Sequence, residues 1–199
     1  MGGSGMTKFF KNLDISVESL VKTTEKIPRL PVGESALAVA CDPRLFLHEH
    51  VYNKLSEFGS VVCLVFEMVP NYEKGNIHID YDKHTNKPFW PALNLILEGQ
   101  GVLRWYAPSA PGTMRTAGGN IYMAWGKESY GSLIEEWRTG KVALVRTDIP
   151  HNAFNIDSVN RLSVSIRWAE RHGWIETINW FEKEFLPYMA EKSSQHQTN

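Results

Sequence analysis

The segment Arg161-Leu162-Ser163-Val164-Ser165-Ile166-Arg167-Trp168 alternates strictly between polar and apolar residues. Successive side chains of a strand point to opposite faces. Leu162, Val164, Ile166 and Trp168 therefore define one face, and Arg161, Ser163, Ser165 and Arg167 the other. Taken by itself the pattern describes an edge strand with one solvated face. Further short β-prone runs lie on either side of it, at 60–69, 77–81, 92–97, 102–106, 142–146 and 152–156, several of them separated by Gly, Pro, Asn or Asp. Many short strands with turn signals between them point to a mainly β fold, a sandwich or jelly roll, rather than an alternating parallel sheet.

Helices flank this region. The stretch 42–59 carries an acidic cap at Asp42, Pro43 at the first turn and Gly59 beyond the end, with Leu47, Val51, Leu55 and Phe58 at helical spacing. Trp174, Ile178, Phe181 and Phe185 form one stripe over 174–185, and a shorter helix is expected over 17–24. These helices are expected to cover one outer face of the sheet. The segment 107–133, rich in Gly, Ser and Ala with scattered aromatics, reads as a long irregular insert of the lid or binding-loop kind.

Bulk properties narrow the function. A chain of 199 residues is expected to form a single domain over 6–199, the first five residues resembling a cloning leader before Met6. A 43% hydrophobic fraction is ample for a core and excludes a disordered chain. The formal charge of −1 provides no global basic field for nucleic acid or anionic lipid. Cys41 and Cys63 have no CxxC partner, and no signal peptide is evident, so a cytoplasmic location is expected. The longest apolar runs, such as 61–66 and 93–97, are too short to span a bilayer. There is no internal repeat. The expected partner is a small-molecule or peptide substrate.

In Ile77-His78-Ile79-Asp80-Tyr81 the imidazole and the carboxylate share a strand face. His151 follows a strand and a proline turn in Ile149-Pro150-His151-Asn152-Ala153. Two imidazoles and one carboxylate on one face of an octahedral metal leave three positions open, which is the arrangement of non-haem iron oxygenases. Each piece alone is weak. A strand with a surface His and Asp matches the first, and a histidine after a proline turn is ordinarily a polar loop residue. Arg161 comes ten residues after His151. A guanidinium fork with the nearby Ser163 hydroxyl suits a carboxylate.

The order HxD, distal His, then Arg-x-Ser is similar to that of the Fe(II)/2-oxoglutarate oxygenase superfamily, over residues 78–168. The resemblance implies a double-stranded β-helix, a distorted jelly roll. It also implies His78, Asp80 and His151 as iron ligands, and Arg161 with Ser163 holding the distal carboxylate of 2-oxoglutarate. The implied activity consumes O2, releases succinate and CO2, and hydroxylates a substrate. Residues 92–95 and 149–155 resemble small, often phage-encoded members of this group. Asp80 sets the chain apart from full aspartyl/asparaginyl β-hydroxylases and from radical halogenases, which lack that carboxylate.

Asn94 interrupts an apolar strand, so it bonds either the co-substrate or a metal ligand, or else makes a strand-end hydrogen bond. Arg167 resembles the second arginine of nucleic-acid demethylases in this superfamily. It either contacts the co-substrate or forms a surface salt bridge. Two other functions fit the same residues: a jelly-roll binding module without redox chemistry, and an oxygenase acting on nucleobases.

Other candidates are weaker. His48 and His50 sit two positions apart on the expected helix and so face apart. His84 falls in a polar turn. The HxH plus downstream Glu of ordinary cupins does not occur. Trp90, Trp105, Tyr106, Trp125, Tyr130, Trp137 and Trp168 read as core or rim packing, with Trp105 and Trp125 the ones expected to line a pocket. Arg104, Arg115 and Arg138 are candidates for recognising an anionic substrate.

Overall fold

The computed structural model describes residues 9–195 apart from 74, 83–86, 89–90, 118–119 and 139–140. Its strands are β1 Phe10–Asn12, β2 Ala36–Ala40, β3 Val61–Met68, β4 His78–Asp82, β5 Lys87–Pro88, β6 Ala92–Glu98 and β7 Val102–Ala107. They continue with β8 Thr113–Ala117, β9 Asn120–Ala124, β10 Ser132–Trp137, β11 Val142–Val145, β12 His151–Phe154 and β13 Arg161–Trp168. The helices are α1 Val17–Leu20, α2 Glu49–Ser56, α3 Trp174–Trp180 and α4 Leu186–Gln195.

One sheet runs β1-β11-β6-β13-β3-β2 and the other β10-β7-β12-β4-β9-β8, with β5 added on β4. Every strand pair is antiparallel. Strands distant in sequence interleave in both sheets, and the fold is a double-stranded β-helix with flanking helices, the form of jelly roll that the resemblance implies. β13 is not an edge strand: it lies between β6 and β3, and all eight of its residues are buried.

The alternation of β13 divides the molecule into two interiors. Leu162, Val164, Ile166 and Trp168 pack with Val65, Leu93, Leu95 and Leu144 against Val51, Leu55, Phe181 and Phe185. The helices thus cover the outer face of the first sheet, and each such side chain contributes about 1.5–3 kcal/mol by leaving water. Between the sheets, Phe9, Ile96, Trp105, Trp137, Ala143 and Val145 form a separate apolar plug. The rest of that space holds a cavity of about 340 Å³ with one polar side and one apolar side.

Several elements differ from expectation, each for a local reason. The helix expected over 42–59 is a 3-10 turn at Pro43–Leu45 followed by α2. Residues between them are drawn off by backbone bonds to the end of α1: Lys22 N–H donates to Phe46, and His48 N–H donates to Leu20. The same contacts end α1 at Leu20, short of the expected 24. The C-terminal helix runs past 185 to Gln195, through a π turn at Phe181–Phe185. The wide turn ends two residues before Pro187, which cannot donate to the ladder. The insert over 107–133 is largely ordered: β8 and β9 pair with each other, and β9 joins β4. No helix among the described residues is long and apolar enough to cross a membrane.

Candidate metal centre

His78 and Asp80 project from the same face of β4, and β12 pairs with β4 so that His151 stands opposite His78. One ligand atom from each of the three residues lies within 4.8 Å of the others. His78 Nε2 is 3.5 Å from Asp80 Oδ1, and His151 Nε2 is 3.8 Å from Asp80 Oδ2. Among the described residues this is the one group of three or more such side chains.

Both imidazoles are oriented from behind. His78 Nδ1 lies 2.9 Å from the Asn76 carbonyl oxygen, and His151 Nδ1 lies 2.8 Å from that of Ile149. A carbonyl only accepts, so Nδ1 carries the proton and the Nε2 lone pair is left facing Asp80. Such backbone partners fix tautomer and ring orientation in metal sites. Burial, with His78 nearby, pushes the His151 imidazole down to about 4, which keeps it neutral and able to ligate. Burial alone would raise the Asp80 carboxyl, but Arg167 and the two imidazoles outweigh it and hold the group at about 2.

Arg167 is the partner of Asp80. Its Nη2 donates to Asp80 Oδ2 at 2.6 Å and its Nε to Ser165 Oγ at 3.2 Å. The surface salt bridge envisaged from sequence is corrected here: the pair is buried, and it braces a ligand of the candidate centre. A carboxylate has lone pairs enough to accept from Arg167 and still coordinate a cation.

Arg161, on the same face of β13, is 2% exposed and forms no ion pair among the described residues. Its Nη1 approaches Met68 Sδ at 3.8 Å, and its Nε has no hydrogen-bond partner. Desolvation lowers the guanidinium to about 10, so it remains charged at neutral pH. The turn between β6 and β7 makes room for it: a Cβ on Gly101 would stand 2.1 Å from Arg161 Nε. A buried cation without a counter-ion costs several kcal/mol. Ser163 and Asn94 line the same cavity, and Asn94 Oδ1 is buried without a donor. The donor set fits a hard or borderline metal with open positions, and the guanidinium fits a carboxylate brought to it.

Other expectations fail. Trp105 belongs to the apolar plug and donates Nε1–H to Arg146 O, while Trp125 donates to Ala110 O; neither lines the cavity. Phe66, Tyr72 and Tyr122 are the cavity aromatics. Tyr122 was hidden in the insert read as irregular, although β-prone runs on either side of Gly118-Gly119 carry a hairpin signal. Arg104 and Arg138 both pair with Glu136, and neither they nor Arg115 line the cavity. His48 and His50 do approach, their rings stacked at 5.5 Å, because His48 is the N-cap and outside helical periodicity. His84 and Trp90 lie outside the described residues.

No protein-family model and no curated protein sequence matches the chain. Among solved structures, a mutant of Bacillus subtilis oxalate decarboxylase aligns at 12% identity and a TM-score of 0.39, covering 73% of this chain and 29% of that chain. Another mutant of that enzyme aligns at 12% identity and a TM-score of 0.38, covering 82% and 34% respectively. CapF with the inhibitor 3-isopropenyl-tropolone aligns at 15% identity and a TM-score of 0.34, covering 55% and 25%. This chain therefore spans well under two thirds of each of those chains, and the fold assignment stands on the strand order described above.

Proposed function

We propose that the protein is an Fe(II)- and 2-oxoglutarate-dependent oxygenase. The observation that carries this reading is the joining of two features in one cavity. Three metal-ligating atoms converge there, and a buried guanidinium with no carboxylate partner among the described residues lines the same space.

His78, Asp80 and His151 would hold the iron. With 2-oxoglutarate and O2, iron supplies oxidative decarboxylation of the co-substrate and hydroxylation of a substrate C–H bond. The chain's own residues bind, orient and exclude water. Arg161 and Ser163 receive a carboxylate in a fork-and-hydroxyl arrangement. Asn94 faces the same ligand with its side-chain amide. Arg167 keeps Asp80 ionised and in place, and the Asn76 and Ile149 carbonyls keep both imidazoles turned inward. The apolar plug and the buried row of β13 close the cavity behind the ligands.

The test is succinate formation by protein reconstituted with Fe(II) and supplied with 2-oxoglutarate and O2 but no substrate. Slow iron-dependent succinate release is expected, and it should vanish in His78→Ala. Release no faster than in the metal-free control would favour the jelly-roll binding module instead.

A further inference from the structure

The candidate centre and Arg161 occupy one side of the cavity. The side built from β2 and β3 meets them only at Met68, beside Arg161. On the inner face of β3, Leu64 and Phe66 are half-buried and Val62 is 38% exposed. Across the β2–β3 pair, Ala38 stands opposite Phe66 and Ala40 opposite Leu64, both exposed. A sheet face that meets water is ordinarily polar, yet this one is apolar throughout. The adjoining strand β13 is buried along its whole length, whereas the described residues cover the inner face of β3 and β2 only in part.

This wall is continuous with the centre. Met68, Phe66 and Leu64 stand in register with Arg161, Ser163 and Ser165. Tyr122, in register with Asp80, and Tyr72 line the same cavity. Charge complementarity is equally one-sided. The charged cavity residues among those described are Asp80, Arg161 and Arg167. All three lie on the side of the centre, and the β2–β3 wall carries no charged side chain to meet a charged substrate. The cavity of about 340 Å³ lies at the small end of ligand sites (roughly 300–1,000 Å³) and must also admit 2-oxoglutarate.

From this we infer that the β2–β3 wall seats an uncharged, hydrophobic small molecule with a flat ring. Ala36 and Ala38 leave the space beside Phe66, while Tyr72 and Tyr122 supply further ring faces. A group charged where it meets this wall is disfavoured in the substrate, because an unpaired charge would be desolvated against it. The inference rests on the oxygenase reading.

Calorimetric titration separates the two. Protein is loaded first with Mn(II) and 2-oxoglutarate, and then titrated with indole, indole-3-carboxylate or tryptamine. Indole is expected to bind at least about tenfold more tightly than either charged analogue. Ala38→Asp, at an exposed edge position that tolerates a polar residue, should weaken indole by about tenfold or more. Its Mn(II) and 2-oxoglutarate titrations report separately on the centre. Equal affinity for the charged probes, no indole binding, or indifference to Ala38→Asp overturns the inference while leaving the centre standing. Failure of the Mn(II) and 2-oxoglutarate steps overturns both.

Discussion

The outward row of β13, Leu162, Val164, Ile166 and Trp168, and its inward row, Arg161, Ser163, Ser165 and Arg167, are equally buried. They do opposite things to the free energy of folding. The outward row leaves water for a packed layer of helices and strands, where burial is favourable and the indole N–H of Trp168 is satisfied by the Leu55 carbonyl. The inward row places two guanidinium groups in the interior, one braced by Asp80 and the other without a carboxylate. A strand that needed only to fold would bury apolar residues on both faces, as parallel-sheet strands do. Arginine retained inside at a cost in stability is the feature of this face on which the proposed function rests.

That contrast is open to direct attack. On the inner side, His151→Ala should reduce iron-dependent succinate formation by more than about a thousandfold, because two ligands no longer define a metal face. Tm should change little. On the outer side, Phe181→Ala should lower stability by about 3–5 kcal/mol in denaturant unfolding. The folded fraction should still bind Mn(II) normally.

Arg161→Met should weaken 2-oxoglutarate binding by roughly tenfold to a hundredfold, the worth of a charge-assisted bond of about 1.5–3 kcal/mol. The metal-free variant should melt at or above the native Tm, since an uncompensated buried charge is removed. A large drop in Tm would show that Arg161 has a structural partner after all.

The smallest effect concerns pH. His151 is held neutral, with its folded value depressed to about 4 from an ordinary 6.5. Between those values the unfolded chain binds a proton that the folded chain refuses. Stability of the metal-free protein is therefore fully present above about 6.5 and declines as pH falls towards 4. His151→Gln should flatten that part of the Tm profile. Below it, as pH falls through about 2, protonation of Asp80 removes the stabilisation contributed by its pairing with Arg167.

Where burial follows period two or helical spacing, the sequence is readable. Alternation marks the bounds of β13 and separates its apolar row from its polar one, and HxD on β4 follows from the same rule. The centrality of β13 was not visible, because alternation describes a solvated edge face and a polar buried face in the same letters. The partner of Arg167 was likewise hidden: the Arg167–Asp80 contact depends on how the two sheets face each other across 87 positions of chain. The break at Phe46–His48 depends on hydrogen bonds to α1, which no local pattern encodes. Trp105 and Trp125 were misplaced because a large aromatic suits a plug as well as a pocket, whereas Tyr122 sat in a segment judged by composition instead of pairing.

Calorimetric titration of 2-oxoglutarate into the protein, with and without Mn(II), tests the centre most directly. One equivalent should bind to the Mn(II)-loaded protein and much more weakly to the metal-free form, with the metal-dependent part lost in Asp80→Ala. If Mn(II) binds nowhere, or if 2-oxoglutarate binds equally with and without it, then His78, Asp80 and His151 do not form a metal face beside Arg161.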